Sequence, residues 1–226
     1  MILKEPVIFI NFKTYPEATA KNALKLAKII DDVSKELGIT IFVSPQFTDI
    51  HPIITEYDIP VFAQHVDYVK PGRNTGHIIP ESIKQIGCVG ALINHSEKPL
   101  SSNDIELTIK RCKETELISC ICTSNAEETK SIVTKQPDMM IVEIPELIGT
   151  GKAISTVNPE VVLNAIKVIR EIDENVFVVS GSGISTKEDV VKAVELGMQG
   201  VGSSRAFVTA NNPKKVLTEM ALALIK

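Results

Sequence analysis

Three polar side chains stand where apolar runs end: Lys13 after Val7-Ile8-Phe9-Ile10, His95 after Ala91-Leu92-Ile93, and Glu143 after Met139-Met140-Ile141-Val142. A carboxylate at the end of a buried apolar run loses hydration, and this raises its pKa toward the range of a general base. His95 is followed by Ser96-Glu97, which reads as the opening of a helical turn. Amide dipoles aimed at an imidazole oppose its positive charge and leave it a neutral hydrogen-bond donor. An ammonium leaving a buried strand is costly unless it meets an anion. Asn11 alternates onto the same face as Lys13 and sits beside it. Each position has a plainer reading: a lysine escaping to solvent, a structural strand-end histidine.

Two further stretches suggest anion binding, and one suggests a lid. After Glu143 the chain reads Ile144-Pro145-Glu146-Leu147-Ile148-Gly149-Thr150-Gly151. Proline at one end, glycines at the other and an apolar centre describe a segment that can close and exclude water, although a fixed structural loop fits the same pattern. Ser180-Gly181-Ser182-Gly183 and Gly202-Ser203-Ser204-Arg205 are small-residue turns whose backbone N–H groups can approach a phosphate closely.

Positioning these groups requires a repeated strand-and-helix plan. Apolar, β-branched runs predict strands at Pro6–Phe12, Thr40–Ser44, Pro60–Gln64, Val89–Asn94, Ile118–Cys122, Met139–Glu143, Val176–Gly181 and Gly200–Ser203. Near-continuous apolar strands imply burial on both faces, as in parallel sheets. Helical stretches separate them. Ala23, Leu24, Ala27, Ile30 and Leu37 form a stripe closed by Gly38, and Asn158-Pro159-Glu160 opens a later helix as cap, proline and acid. Thr186 with Asp189 reads as a capping pair, and Asn212-Pro213 starts the last helix. Strict βα alternation excludes a sandwich, and a count of eight favours a closed barrel over a doubly wound sheet. No linker or low-complexity stretch divides the chain, so one domain over 1–226 is expected, an α/β fold of the single (β/α)8 barrel kind. In such barrels the chemistry gathers at the carboxyl ends of the strands, with phosphate held after the seventh and eighth.

Composition agrees with a globular enzyme and excludes other classes. The chain has 226 residues, 44% hydrophobic and 23% charged, with a net charge of −4 and no basic block, so a nucleic-acid partner is not expected. No apolar run approaches the ~18 residues of a membrane span, and Val7–Ile10 is too short for a signal peptide, so a cytoplasmic protein is expected. Cys88, Cys112, Cys120 and Cys122 lack zinc-type spacing and are expected as buried free thiols, with Cys120 and Cys122 read as facing opposite sides of their strand. His51, His65, His77 and His95 show no paired ligand spacing, so neither a metal nor another cofactor is expected.

Asn11-Phe12-Lys13, Asn94-His95-Ser96-Glu97 and Glu143-x-Pro-Glu-Leu-Ile-Gly-Thr-Gly151, in this order and spacing, resemble the triosephosphate isomerases. The Pro-Glu-Leu-Ile-Gly-Thr-Gly lid and the short chain are similar to the archaeal branch. The resemblance implies a TIM barrel that interconverts D-glyceraldehyde 3-phosphate and dihydroxyacetone phosphate through an enediolate, in glycolysis and gluconeogenesis. It implies Glu143 as the proton-shuttling base, His95 as the neutral electrophile, Lys13 as the cation for developing charge, Asn11 as a neighbouring donor, and Glu97 as the residue orienting the lysine and histidine. The pairing of a carboxylate base with a neutral imidazole under a closing loop is this family's own scheme and is taken over from the resemblance. Substrate and phosphate contacts are implied at Asn11, Phe12, Lys13, Ile148, Gly149, Gly183, Ser204 and Arg205. Thr75-Gly76 is similar to the family's intersubunit loop and implies a homo-oligomer, a tetramer ahead of a dimer.

The chain departs from the family pattern at Ile144, where proline is usual, at Ser180-Gly181-Ser182-Gly183, where the archaeal form is Cys-Gly-Ala-Gly, and at Arg205, where a small residue is usual. Rival readings are another phosphosugar barrel enzyme or a barrel kept as a scaffold. A Schiff-base aldolase would need an amine where Glu143 stands, and an epimerase would bring metal-binding histidines. A scaffold has no reason to keep Lys13, His95 and Glu143 together.

Overall fold

A computed structural model describes Leu3 and residues 6–225; the ends of the expected 1–226 domain, at 1–2, 4–5 and 226, lie outside the described residues. The strands are β1 (Val7–Asn11), β2 (Thr40–Ser44), β3 (Phe62–Ala63), β4 (Gly90–Ile93), β5 (Ile118–Thr123), β6 (Met139–Val142), β7 (Phe177–Ser180) and β8 (Gly200–Ser203). All pair in parallel, in the order β2-β1-β8-β7-β6-β5-β4-β3. The two ends of that order meet through a parallel bridge between Val43 and Val61, with the Val43 N–H donating to the Pro60 carbonyl at 3.1 Å. The sheet therefore closes on itself. β3 is shorter than the expected Pro60–Gln64, since Pro60 brings no N–H to a ladder and Gln64 has already entered the loop.

The helices are α1 (Lys21–Leu37), α2 (Phe47–Glu56), α3 (Pro80–Gln85), α4 (Ser102–Glu114), α5 (Ala126–Val133), α6 (Ile154–Val157), α7 (Pro159–Ile172), α8 (Lys187–Glu195), α9 (Arg205–Val208) and α10 (Pro213–Leu224). α1 buries Ala23, Leu26, Ala27, Ile30 and Val33, and Leu24 and Leu37 lie at the border of that face. Gly38 ends it at φ +66°, donating its N–H to the Ser34 carbonyl. Thr186 and Asp189 form a reciprocal capping box on α8, and Asn212 caps α10 through the Lys215 N–H. Asn158 differs from expectation. Its side chain caps nothing, because this residue also ends α6, where its N–H donates to the Ile154 carbonyl; Pro159 does begin α7.

Period-two alternation divides the strands between two cores. Val7, Phe9, Phe42, Phe62, Leu92, Cys120, Cys122, Ile141 and Val179 fill the barrel interior, while Ile8, Ile10, Ile41, Ile121, Met140 and Val178 pack outward under the helices. Phe9, Phe42 and Phe62 form a cluster with centroids 5.1 to 6.2 Å apart, plugging the barrel below its mouth. Cys120 and Cys122 face the same side, correcting the sequence expectation, because residues two apart on a strand must do so. All four cysteines are buried and free, and burial pushes their thiols well above the ordinary range. Among the described residues no helix is long and apolar enough to cross a membrane.

Candidate active site

Above the aromatic plug, at the carboxyl ends of the strands, a cavity of about 360 Å³ opens. Asn11, Lys13, His95 and Glu143 line it, as do Ile148 and Gly149 of the segment after β6, Gly183 of the loop after β7, and Ser204 and Arg205 after β8. Residues separated by nearly the whole chain thus share one concavity.

Phe12 does not line it. Its side chain is fully buried in the outer core, and its N–H donates to the Ser44 carbonyl at 2.9 Å. The substrate contact expected of Phe12 is therefore not one its ring can make, since alternation sends it away from Asn11 and Lys13. Glu97 also stays outside the cavity lining.

Lys13 is held in a strained conformation, at φ +47°. Its N–H donates to Asn11 Oδ1 at 2.8 Å, and its carbonyl accepts from Gln64 Nε2 at 2.9 Å. Its ammonium pairs with Glu97 Oε1 at 2.7 Å, with the lysine side chain only 12% exposed. Strain of this kind persists only where several bonds over-determine it, and here three do.

His95 is buried, and its Nδ1 accepts the backbone N–H of Glu97 at 3.1 Å. A backbone N–H can only donate, so Nδ1 carries no proton and the neutral ring holds its hydrogen on Nε2. Burial, followed by the charge of Lys13, lowers the imidazole pKa, and the Glu97 carboxylate opposes this in part. The turn anticipated from Ser96-Glu97 closes with the Lys98 N–H donating to the His95 carbonyl at 2.7 Å; the next helix begins only at Ser102. The dipole acting on the ring is thus a single amide.

Glu143 follows directly on β6, with its N–H donating to the Thr123 carbonyl at 2.8 Å. Burial raises its carboxyl pKa to about 7, with Lys13 lowering it and Glu97 raising it. Its Oε2 lies 3.8 Å from His95 Nε2, too far for a hydrogen bond and suited to two groups flanking a third molecule. Gly181 makes room for it, as a Cβ there would fall 2.6 Å from Glu143 Cγ.

The segment after Glu143 makes a 3-10 turn at Pro145–Leu147 and then uses Gly149 and Gly151 at φ +72° and +75°. Ser182 fastens its near end: Ile144 N–H donates to Ser182 Oγ at 2.8 Å, and that hydroxyl donates back to the Ile144 carbonyl at 3.1 Å. Arg205 Nη1 donates to the Gly149 carbonyl at 2.9 Å, and Ser185 Oγ to that of Gly151 at 3.3 Å. A Cβ on Gly183 would overlap the Lys152 carbonyl. Ser204 lines the cavity, and its Oγ is buried with no hydrogen-bond partner among the described residues.

Sequence reasoning missed Gln64 and Ser182 as supports. Both are polar residues at strand ends, the signal that did pick out Lys13 and Glu143. Among the described residues no cluster of His, Cys, Asp or Glu is arranged to hold a metal ion.

The fold and site define a single-sheet (β/α)8 barrel with an acid–base constellation at its carboxyl-end mouth. A family model described as "Triosephosphate isomerase" matches residues 6–221. Proteins named triosephosphate isomerase share 46% identity over 214 residues in Methanocaldococcus jannaschii, covering 95% of this chain and 98% of that one. The corresponding protein of Methanothermus fervidus is 43% identical over 218 residues, covering 96% and 98%. That of Methanobrevibacter smithii is 40% identical over 222 residues, covering 98% and 100%. The chain belongs to the triosephosphate isomerase family, and these relatives are archaeal.

Proposed function

We propose that this chain interconverts D-glyceraldehyde 3-phosphate and dihydroxyacetone phosphate, with one domain spanning 1–226 and Glu143, His95 and Lys13 as its catalytic residues. The observation that carries the reading is the pairing of a buried carboxylate, raised to about 7, with an imidazole whose Nδ1 is occupied by an amide N–H. Glu143 removes a proton from the carbon beside the carbonyl. The Nε2–H of His95 donates to the carbonyl oxygen and stabilises the enediolate, and the Lys13 ammonium adds an opposing charge. Returning that proton to the neighbouring carbon, while the hydroxyl proton passes between the two enediolate oxygens beside His95 Nε2, completes the isomerisation. No net charge, electron or atom is gained, and the three side chains supply the base, the hydrogen-bond donor and the cation that the scheme uses.

The phosphate is held at the lid and the two glycine-serine loops, with Asn11, Ile148, Gly149, Gly183, Ser204 and Arg205 as contacts. The gathering of these residues around one concavity supports this. Glu97 positions rather than reacts, through its ion pair with Lys13 and its amide on His95. We read the chain as cytoplasmic and homo-oligomeric, a tetramer ahead of a dimer. Support for assembly is the exposed Thr75 at the tip of a loop braced by Asp67, whose carboxylate accepts the Ile78 N–H at 2.7 Å. Light scattering on a sizing column tests the assembly, and a monomer overturns it. The activity is tested by incubating purified protein with glyceraldehyde 3-phosphate and following dihydroxyacetone phosphate; no turnover in the unmodified protein overturns the reading.

A further inference from the structure

Asn94, immediately before His95, is buried and adopts φ +60°. Asparagine tolerates that region better than most residues, yet backbone tolerance leaves its side chain unexplained. All the carboxamide's polar atoms are engaged. Oδ1 accepts the Leu100 N–H at 2.9 Å; Nδ2 donates to the Cys122 carbonyl at the end of β5 at 3.1 Å and to Glu128 Oε1 on α5 at 2.9 Å. The other oxygen of Glu128, Oε2, accepts the Ser124 N–H and its Oγ, both at 2.7 Å. Neither Asn94 nor Glu128 lines the cavity.

A carboxamide has two faces of similar shape and opposite hydrogen-bonding sense. The Cys122 carbonyl and the Glu128 oxygen facing Asn94 both accept, so together they require the NH2 of Asn94 on their side. Oδ1 is then forced toward Leu100. The bond to Leu100 ties the far end of the 95–99 turn to the residue before it, making a ring of backbone closed by one side chain. Within that ring the Glu97 N–H meets His95 Nδ1, and from it the Glu97 carboxylate reaches Lys13.

We infer that Glu128 is a positioning residue for the electrophile: acting with the Cys122 carbonyl to hold the Asn94 carboxamide, it steadies the turn that keeps His95 Nδ1 an acceptor and its proton on Nε2. The inference rests on His95 as the electrophile of the proposed isomerisation. A ΔΔG of contacts alone would not distinguish it from ordinary packing, so the test needs a readout at the imidazole itself.

The experiment compares Glu128→Ala, Glu128→Gln and Asn94→Gly in otherwise intact protein, by steady-state kinetics and by 15N NMR of the His95 ring. Asn94→Gly keeps access to positive φ and removes only the carboxamide. Glutamine at 128 offers one acceptor oxygen and so cannot serve both Asn94 and Ser124; it provides the test if the alanine variant does not fold. The expected result is a fall in kcat of about tenfold to a hundredfold in each variant, with KM changed far less, together with altered ring 15N shifts reporting lost tautomer preference. Combining Glu128→Ala with Asn94→Gly is expected to cost little more than either alone, because both act along one path. Lower melting temperature with unchanged kcat and unchanged 15N shifts overturns the inference, as does an Asn94→Gly variant with wild-type kinetics. Absence of turnover in the unmodified protein would instead sink the proposed function, and the NMR result would still stand by itself.

Discussion

The two walls of the cavity are built in opposite ways. The wall that carries His95 is tied by buried and part-buried bonds from Asn94 to β5, α5 and Leu100 and from the Glu97 N–H to the imidazole, with a more exposed ion pair from the Glu97 carboxylate to Lys13. The wall that carries Glu143 leads into Ile144–Gly151, whose connections to the barrel beyond Ser182 are a guanidinium on the Gly149 carbonyl and a hydroxyl on that of Gly151. Arg205 is exposed, so its bond competes with water and is weak. A tautomer must be fixed throughout a catalytic cycle, whereas a lid must release its product. The His95 side carries more bonds, centred on the buried Asn94, and the Glu143 side beyond Ser182 is held by a few that water can replace.

The largest expected effect tests whether the wall leading into Ile144–Gly151 carries the base. Glu143→Gln should lower kcat/KM by at least about a thousandfold while leaving the barrel folded; circular dichroism and turnover read this together, and undiminished activity would remove Glu143 from the role. Next comes the junction between lid and barrel. Gly183→Ala places a methyl group on the Lys152 carbonyl at a φ of +73°, and should cost roughly 3 kcal/mol of stability or displace the lid, seen as a drop in melting temperature with a raised KM.

The pH dependence follows from the carboxyl pKa of about 7. Between 4.5 and about 7 the folded chain holds a proton on Glu143 that the unfolded chain has released. The contribution to stability is therefore fully present below 4.5 and is lost as pH rises through about 7. Chemical denaturation across this window should show wild type losing up to roughly 3 kcal/mol that Glu143→Gln retains, while wild-type kcat/KM falls about tenfold per unit below 7. Equal slopes for the two proteins would mean that Glu143 is not desolvated in solution. The smallest effect probes the water-accessible latch. Arg205→Ala should raise KM a few-fold and increase the share of intermediate that expels its phosphate, measured as inorganic phosphate released per turnover. An unchanged share would show that this bond does nothing for closure.

Much of the candidate site was legible before folding, and the reason is local. A polar residue that ends an apolar strand has an energetic cost visible in the sequence, so Lys13, His95 and Glu143 announce themselves. Glycines at positive φ mark the lid in the same way. Gln64 and Ser182 share that strand-end signal, but neither they nor Glu128 reveal what they hold, because it depends on partners 51, 38 and 34 residues away. Phe12 was misassigned for a related reason: adjacency in a motif is not adjacency in space when side chains alternate.

The chain's own pattern determined the eight apolar strands, their helices, and the identities of the carboxylate, imidazole and ammonium at the strand ends. These are decided residue by residue through burial and hydrogen-bonding chemistry. Only the closed barrel decided which amide occupies His95 Nδ1, what lifts the Glu143 pKa to about 7, and how firmly each wall is held. Those properties come from low-dielectric surroundings and bonds across strands, and a linear polymer has neither until it is closed.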